Sequence, residues 1–200
     1  MKKIITLIMI GSIIMTSCEK QPDVAVVSTR YGDMVIEFYP EVAEKHVDSF
    51  LTHARNGYFN ETTFHRVIPG FVIQGGDPNS KSDDRSTHGM GGHAANFYGI
   101  GQEDDSNSWM LPAEFNSRPH LTGSLSMARS QSPNSAGSQF FICAGPTPQL
   151  DNQYTVFGQV IEGLDVIQKI VSSPRDRRDN PKDKVEMNVS VMPRDEALDD

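Results

Sequence analysis

The sequence has little cysteine and no excess of basic side chains. Its 200 residues include only 2 cysteines, too few for a disulfide-dense scaffold or a four-cysteine zinc ribbon. Lysine and arginine number 18 against 26 aspartates and glutamates, for a formal net charge of -8. A nucleic-acid backbone or an anionic membrane surface requires clustered basic residues, so the composition argues against both partners. An internal repeat, a P-loop and a dinucleotide-binding fingerprint are also lacking.

The composition is that of one packed domain with short extensions. Hydrophobic residues make up 37% of the chain and charged residues 22%, which argues against disorder throughout. We predict four segments: a signal peptide at 1–17, a lipidated cysteine and tether at 18–23, a folded domain at 24–193 and an acidic tail at 194–200.

The N-terminal segment predicts export and a lipid anchor. Two lysines follow Met1, and residues 4–15 form an apolar run shorter than the roughly 20 residues needed to span a bilayer. The Met-Thr-Ser-Cys sequence at 15–18 resembles a bacterial lipobox, in which the cysteine is acylated. We therefore expect Cys18 to hold the protein on a membrane of the bacterial envelope, facing the periplasm rather than the cell surface. Alternatively, the segment is an ordinary signal peptide with an incidental cysteine.

The rest of the chain has the pattern of a β-rich fold. Residues 24–29 and 34–38 flank an Arg-Tyr-Gly-Asp turn and are rich in β-branched and apolar residues, which predicts a hairpin. One helix is predicted to open at Pro40 and end before Gly57, and another to cover 164–171. Further strands are predicted at 64–68, 71–74, 123–128, 139–144, 156–160 and 185–191, with long loops over 78–122. Two helices among about eight short strands fit a closed barrel with helices over its open ends.

Residues 64–77 carry the most specific pattern in the chain. Their sequence, Phe-His-Arg-Val-Ile-Pro-Gly-Phe-Val-Ile-Gln-Gly-Gly-Asp, resembles the signature of the cyclophilin family of peptidyl-prolyl isomerases. Three more blocks follow in the family's order, at 123–128, 137–142 and 150–158, and the similarity extends over 24–191. The resemblance implies a mainly β fold: a closed eight-stranded antiparallel β-barrel capped by two α-helices.

The resemblance implies catalysis of rotation about X–Pro bonds in proteins that fold after export. This amide rotates across a barrier of about 18–20 kcal/mol, because resonance gives its C–N bond double-bond character. A guanidinium that donates a hydrogen bond to the prolyl nitrogen stabilises the twisted amide over the planar one, so no nucleophile, metal or cofactor is needed. By resemblance Arg66 is this donor, and proline-containing polypeptides are the partners.

The resemblance also implies which residues bind the substrate. Four would form the apolar pocket for the proline ring: Phe71, Val72, Phe141 and Leu150. Five would border it: Gln74, Ala128, Arg129, Gln139 and Tyr154. Gln74 would hold Arg66 and the substrate backbone, and Gln139 would contact the residues before the proline. Residues 128 and 129 would bind the peptide main chain through their own backbone groups.

The pocket departs from the family pattern at two positions. Val72 replaces a commoner methionine and shortens one wall. Gln149 stands where cyclosporin-sensitive members carry tryptophan, whose indole N–H bonds the drug. The resemblance therefore implies weak cyclosporin binding with activity retained.

Taken singly, several residues have simpler interpretations. Arg66 alone could be an exposed strand residue paired with an acid. Phe140 and Phe141 are adjacent in a predicted strand and face opposite ways, so only one of them can line the pocket. The resemblance selects Phe141, which leaves Phe140 for the core. His65 is expected to be structural, and Cys143 a small buried hydrophobe.

Two other functions remain open. A proline-binding chaperone or adaptor with incidental turnover would use the same pocket. The loop with His88 and His93, followed by acids at 103–105, could hold a metal in an envelope protein. Two histidines without a fixed carboxylate spacing favour a flexible loop instead, so no metal is expected. The family default is a monomer, which we expect here.

Overall fold

A computed structural model describes residues 22–198 of the chain. The predicted signal peptide, Cys18 and the end of the acidic tail lie outside this range. Within it, none of the helices is both long and apolar enough to cross a membrane.

The described residues form one antiparallel sheet with three helices. The strands are β1 Asp23–Thr29, β2 Gly32–Phe38, β3 Thr62–Thr63, β4 Arg66–Ile68, β5 Val72–Gly75, β6 Ser124–Met127, β7 Phe140–Cys143, β8 Val156–Glu162 and β9 Glu186–Pro193. The helices are α1 Glu44–Arg55, α2 Leu164–Val171 and α3 Arg194–Leu198. The hydrogen-bonded order is β3-β9-β1-β2-β8-β6-β7-β5-β4. The predicted hairpin, β1 with β2, is confirmed, and so is α2.

The prediction of a closed eight-stranded barrel is wrong. The sheet has nine strands and curls into a half-barrel. The curl brings its two end strands, β3 and β4, near each other, because only Phe64 and His65 separate them in sequence. Strand pairing does not join these ends within the described range. The loop before β9 intervenes: the N–H of Phe64 donates to the Val185 carbonyl at 2.9 Å, and the N–H of Val67 donates to the Asp179 carbonyl at 2.8 Å.

An aromatic cluster within the larger hydrophobic core lies between α1 and the sheet. Phe50 of α1 is surrounded by Phe38, Phe59, Phe140 and Phe157, with ring centroids between 4.9 and 5.8 Å from its own. Phe140 is fully buried in this cluster, as predicted, while its neighbour in β7 belongs to a separate cluster on the other face. The sheet therefore has a core face and a site face.

Helix α1 begins four residues later than predicted. Pro40 lies instead in a turn, in which the Tyr39 carbonyl accepts hydrogen bonds from the N–H groups of Val42 and Ala43. Ala43, the residue at the helix N-cap, has no side-chain cap of its own. Glu114, from the long loop region, supplies that function: its carboxylate accepts the N–H groups of residues 45 and 46 at 3.2 and 3.0 Å.

Glu114 also binds the His46 ring, with 2.6 Å between its Oε2 and Nδ1 of the imidazole. Burial raises the pKa of Glu114, but the hydrogen bonds from the His46 ring and from the backbone outweigh burial and hold the pKa below its usual value. A lowered folded-state pKa stabilises the fold above the unfolded-state pKa, and this contribution is lost as the pH falls through the folded-state value.

We expect Glu114→Gln to reduce the free energy of unfolding by about 1–2 kcal/mol at neutral pH, because a charged helix cap becomes a neutral one. The difference from the parent should shrink as the pH falls from the unfolded-state pKa through the lowered folded-state pKa of Glu114, where the parent carboxylate is itself protonated. Urea unfolding at several pH values measures it. Glu41→Gln is the control, since Glu41 pairs with Arg118 at the surface; a loss as large as that of Glu114→Gln would contradict the capping role.

Candidate active site

Strand β4 places Arg66 at the edge of an apolar recess. Arg66 is paired with Gln74 of β5 in the strand register, and its side chain is half-buried. Its Nη1 donates a hydrogen bond to Gln74 Oε1 at 3.2 Å. In the described part of the chain no carboxylate forms a salt bridge with Arg66. The interpretation of Arg66 as a surface residue paired with an acid therefore does not hold.

A chain of amide hydrogen bonds fixes the position of the guanidinium. Gln74 Nε2 donates to Gln139 Oε1 at 3.0 Å, and Gln139 Nε2 donates to the Gly91 carbonyl at 2.8 Å. Because each amide both donates and accepts, the chain connects Arg66 to the backbone of the long loop. The guanidinium is thus oriented by neutral groups and keeps its positive charge unpaired.

The recess has a volume of about 210 Å³. It brings together Arg66, the predicted donor, and every predicted substrate-binding residue except Gln139: Phe71, Val72, Gln74, Ala128, Arg129, Phe141, Leu150 and Tyr154. We call it the proline pocket. Gln139 borders an adjoining recess of about 330 Å³ that shares Gln74, Ala128 and Arg129 with it. The roles of these residues in binding stay a prediction, but their placement around one cavity is as expected.

Aromatic contacts stiffen the walls of the proline pocket. The ring of Phe141 meets Tyr154 edge-on, with 5.7 Å between centroids. The Arg129 guanidinium lies over the Tyr154 ring, 4.5 Å from its centroid, and its Nη2 donates to the Gln153 carbonyl at 2.8 Å. The side chain of Arg129 therefore braces the aromatic wall, a contact that the sequence did not predict.

A buried polar group behind Phe141 was also missed. The His120 ring stacks on Phe141 at 6.0 Å, and its Nδ1 lies 2.8 Å from Asp151 Oδ1 and its Nε2 3.0 Å from Ser126 Oγ. Hydrogen bonds from the His120 backbone and ring lower the pKa of the Asp151 carboxyl. The sequence signal was weak, because His120 is 31 positions from its partner. This cluster supports the pocket wall from behind.

Hydrogen bonds to neutral groups occupy ring nitrogens of both His88 and His93. His88 Nε2 and Nδ1 contact the Ser82 carbonyl and the Asn180 amide, both at 3.0 Å, while His93 Nδ1 contacts the Ala94 carbonyl at 2.8 Å. Between residues 22 and 198, histidine, cysteine and acidic side chains do not gather in groups of three or more that could bind a metal ion. Cys143 is buried, as predicted, and burial raises the pKa of its thiol to about 11.

Comparison with known proteins shows which family the chain matches. Residues 24–191 match the family described as cyclophilin type peptidyl-prolyl cis-trans isomerase/CLD. A Brucella abortus protein named "Probable peptidyl-prolyl cis-trans isomerase" is 39% identical over 165 residues, covering 80% of this chain and 78% of that protein. A mouse protein, "Peptidylprolyl isomerase domain and WD repeat-containing protein 1", is 43% identical over 171 residues, covering 85% of this chain and 23% of its own length. The chain thus spans about a quarter of the mouse relative.

A solved structure has a similar fold. The cyclophilin type peptidyl-prolyl cis-trans isomerase of Cryptosporidium parvum, determined in the presence of the dipeptide Ala-Pro, superposes with a TM-score of 0.72 at 31% sequence identity. The match covers 85% of this chain and 98% of that one.

Proposed function

The chain belongs to the cyclophilin-type peptidyl-prolyl cis-trans isomerase family, and we propose that it catalyses the rotation of X–Pro bonds in exported polypeptides, with Arg66 as the catalytic residue. One observation carries the mechanism: an unpaired, oriented guanidinium lies at the edge of an apolar pocket sized for a small ring. The Ala-Pro dipeptide of the Cryptosporidium structure supports a proline-containing ligand.

The chemistry follows from how the amide changes as it turns. When the bond twists, conjugation is lost and the prolyl nitrogen regains a lone pair that can accept a hydrogen bond. A donor placed over that nitrogen binds the twisted state and not the planar one, so it lowers the barrier. Each reduction of about 1.4 kcal/mol gives a tenfold faster rotation. Arg66 suits this role, because the guanidinium stays protonated and offers several N–H donors.

The pocket contributes by holding the ring while the rest of the peptide turns. Phe141 and Leu150 present apolar surface, and Tyr154 adds an aromatic wall held by Arg129. Ordered walls restrict the proline ring to one orientation relative to Arg66, so binding also aligns the prolyl nitrogen with the guanidinium.

A refolding assay limited by proline isomerisation tests the function: residues 19–200 should accelerate the slow phase in proportion to their concentration. An unchanged slow phase would refute it.

We also propose that Cys18 carries a lipid that anchors the domain in the cell envelope. The support is the basic start, the short apolar run and the Met-Thr-Ser-Cys sequence. On expression of the full chain in a bacterial host, Cys18→Ser should move the protein from the membrane fraction to the soluble fraction. Cys143→Ser is the control and should stay with the membrane, because Cys143 is buried inside the domain. Recovery of the parent protein in the soluble fraction would contradict the anchor.

Weak cyclosporin binding is proposed from the residue at position 149. Gln149 is exposed beside Leu150, which lines the proline pocket. We expect Gln149→Trp to tighten cyclosporin binding about tenfold, because the indole adds apolar surface and an N–H donor. Gln149→Phe separates the two contributions, since it adds the ring alone. Calorimetry measures both variants, and tight binding by the parent would contradict the proposal.

A further inference from the structure

A second cavity of about 270 Å³ lies beside the proline pocket and shares Arg66 and Gln74 with it. Its other lining residues come from the connection between β3 and β4, the loop before residue 90 and the turn before β9: His65, Arg85, His88, Gly89, Asp176, Arg178 and Asn180. We call it the basic cavity. The proposed catalytic function does not require it.

The charge of the basic cavity opposes the charge of the whole chain. Three arginines, Arg66, Arg85 and Arg178, line it with one carboxylate, Asp176, in a protein whose formal net charge is -8. The Asp176 carboxylate keeps its negative charge at the cavity, because its Oδ1 accepts only neutral groups, the backbone N–H groups of residues 178 and 180 at 2.8 and 3.0 Å. Three positive side chains thus face one negative side chain. The cavity therefore favours a negatively charged occupant.

The arginines are oriented without being neutralised. Arg85 donates from Nη2 to the Lys182 carbonyl at 2.7 Å and from Nη1 to the Asn180 side chain at 3.1 Å. Arg178 donates to the Arg85 carbonyl at 3.2 Å. These acceptors are neutral, and among residues 22–198 neither arginine forms a salt bridge with a carboxylate. Both guanidinium groups are thus held at the cavity without a salt bridge, within electrostatic reach of its one lining carboxylate, Asp176.

His65 provides an independent sign that a polar ligand belongs here. Only 5% of this residue is exposed, and neither ring nitrogen forms a well-aligned hydrogen bond with residues 22–198, although the Thr63 backbone and the Asp77 carboxylate lie near the ring. Buried polar groups are nearly always hydrogen-bonded, and His65 lines the cavity. Burial lowers the pKa of His65 to about 4, so at neutral pH its ring offers one N–H donor and one acceptor.

We propose that the basic cavity binds an acidic side chain of the polypeptide substrate, within three residues of the isomerised proline. This inference rests on the proposed function. It favours a substrate group over a free anion, because the two cavities share residues 66 and 74, and one extended chain can therefore enter both. Three extended residues reach roughly 10 Å, which sets the limit of three positions on either side of the proline. The subsite would make prolines near aspartate or glutamate preferred substrates.

The test uses the full chain in detergent and pairs of proline peptides that differ only by Glu or Gln at one of the three positions on either side of the proline. We expect at least one Glu peptide to bind about five- to tenfold tighter than its Gln counterpart at low salt. At about 0.5 M NaCl this preference should largely disappear, because salt screens charge pairs that water can reach. Peptide titration monitored by NMR measures binding without requiring turnover.

Arg178→Gln and Arg177→Gln form a matched pair. Both residues are exposed neighbours of equal charge, but only Arg178 lines the basic cavity. Arg178→Gln should reduce the Glu preference by at least half, while Arg177→Gln should retain it. Equal losses in the two variants, or equal binding of all Glu and Gln peptides, would overturn the subsite.

Inorganic phosphate serves as the free-anion probe. Shifts of the His65 ring signals with phosphate, in the absence of any Glu preference, would assign the cavity to a free anion and overturn the proposal. Isomerisation of the Gln peptides is recorded in parallel. If the Gln peptides were not isomerised, only the proposed function would be contradicted, because the ratio of Glu-peptide to Gln-peptide affinity still decides the subsite.

Discussion

Arg66→Ala should lower the catalysed rate of prolyl isomerisation by residues 19–200 about 100- to 1000-fold, the usual effect of removing one donor that stabilises a transition state. The loss should fall on turnover rather than on peptide binding, because Arg66 is one of nine residues around the proline pocket and the apolar walls remain. The rate is measured with a proline peptide or with a proline-limited refolding protein.

Two further variants sharpen this prediction. Arg66→Lys keeps the charge but loses the planar set of donors, so it should recover only part of the activity. Arg177→Ala removes an exposed arginine outside the pocket and should be as active as the parent. Equal rates for Arg66→Ala and the parent would show that the guanidinium does not act on the amide. If Arg66→Ala abolished turnover but preserved partner binding and cellular phenotype, the adaptor function would be favoured.

Phe50→Ala is expected to reduce the free energy of unfolding by about 3–5 kcal/mol, a large part of the stability of a small domain. Phe50 is 1% exposed and contacts four other phenylalanines across α1 and the sheet. Its removal takes apolar area out of the core and leaves a cavity that rigid neighbouring rings cannot fill. Urea unfolding followed by circular dichroism measures the change.

The control is Phe115→Ala, because Phe115 is 41% exposed. This variant should stay within about 0.5 kcal/mol of the parent. A similar loss in both variants would mean that the cost comes from any missing ring and not from the core cluster. Because Phe50 lies on the opposite face of the sheet from the proline pocket, the variant should remain active at temperatures where it is folded.

The sequence predicted the features that depend on local pattern. Alternating and β-branched residues located the strands, and the ordered blocks around Arg66 identified residues that the structure places around one pocket. Features that depend on distant partners were missed. The predicted start of α1 was wrong, because Pro40 and Glu41 satisfy the local rule for a helix start. The actual cap is the distant Glu114.

Distant partners also explain why the sequence wrongly predicted a closed barrel and missed contacts around the candidate site. A closed barrel requires pairing between its first and last strands, and here the carbonyls of Asp179 and Val185 occupy that position. His120 and Asp151 meet across 31 positions, and Arg85 reaches Asn180 across 95. Contacts of this kind leave no periodic signal in a single sequence.

The shortness of β3 and β4 has a consequence for the proposed action on unfolded chains. Exposed strand edges invite edge-to-edge pairing and aggregation, since they present rows of free N–H and C=O groups. Here the terminal strands are only two and three residues long, and the neighbouring loop already occupies part of their hydrogen-bonding capacity. A polypeptide that bound at the proline pocket, as we propose, would find little edge on which to extend a ladder, and it could therefore leave after each turn of the bond.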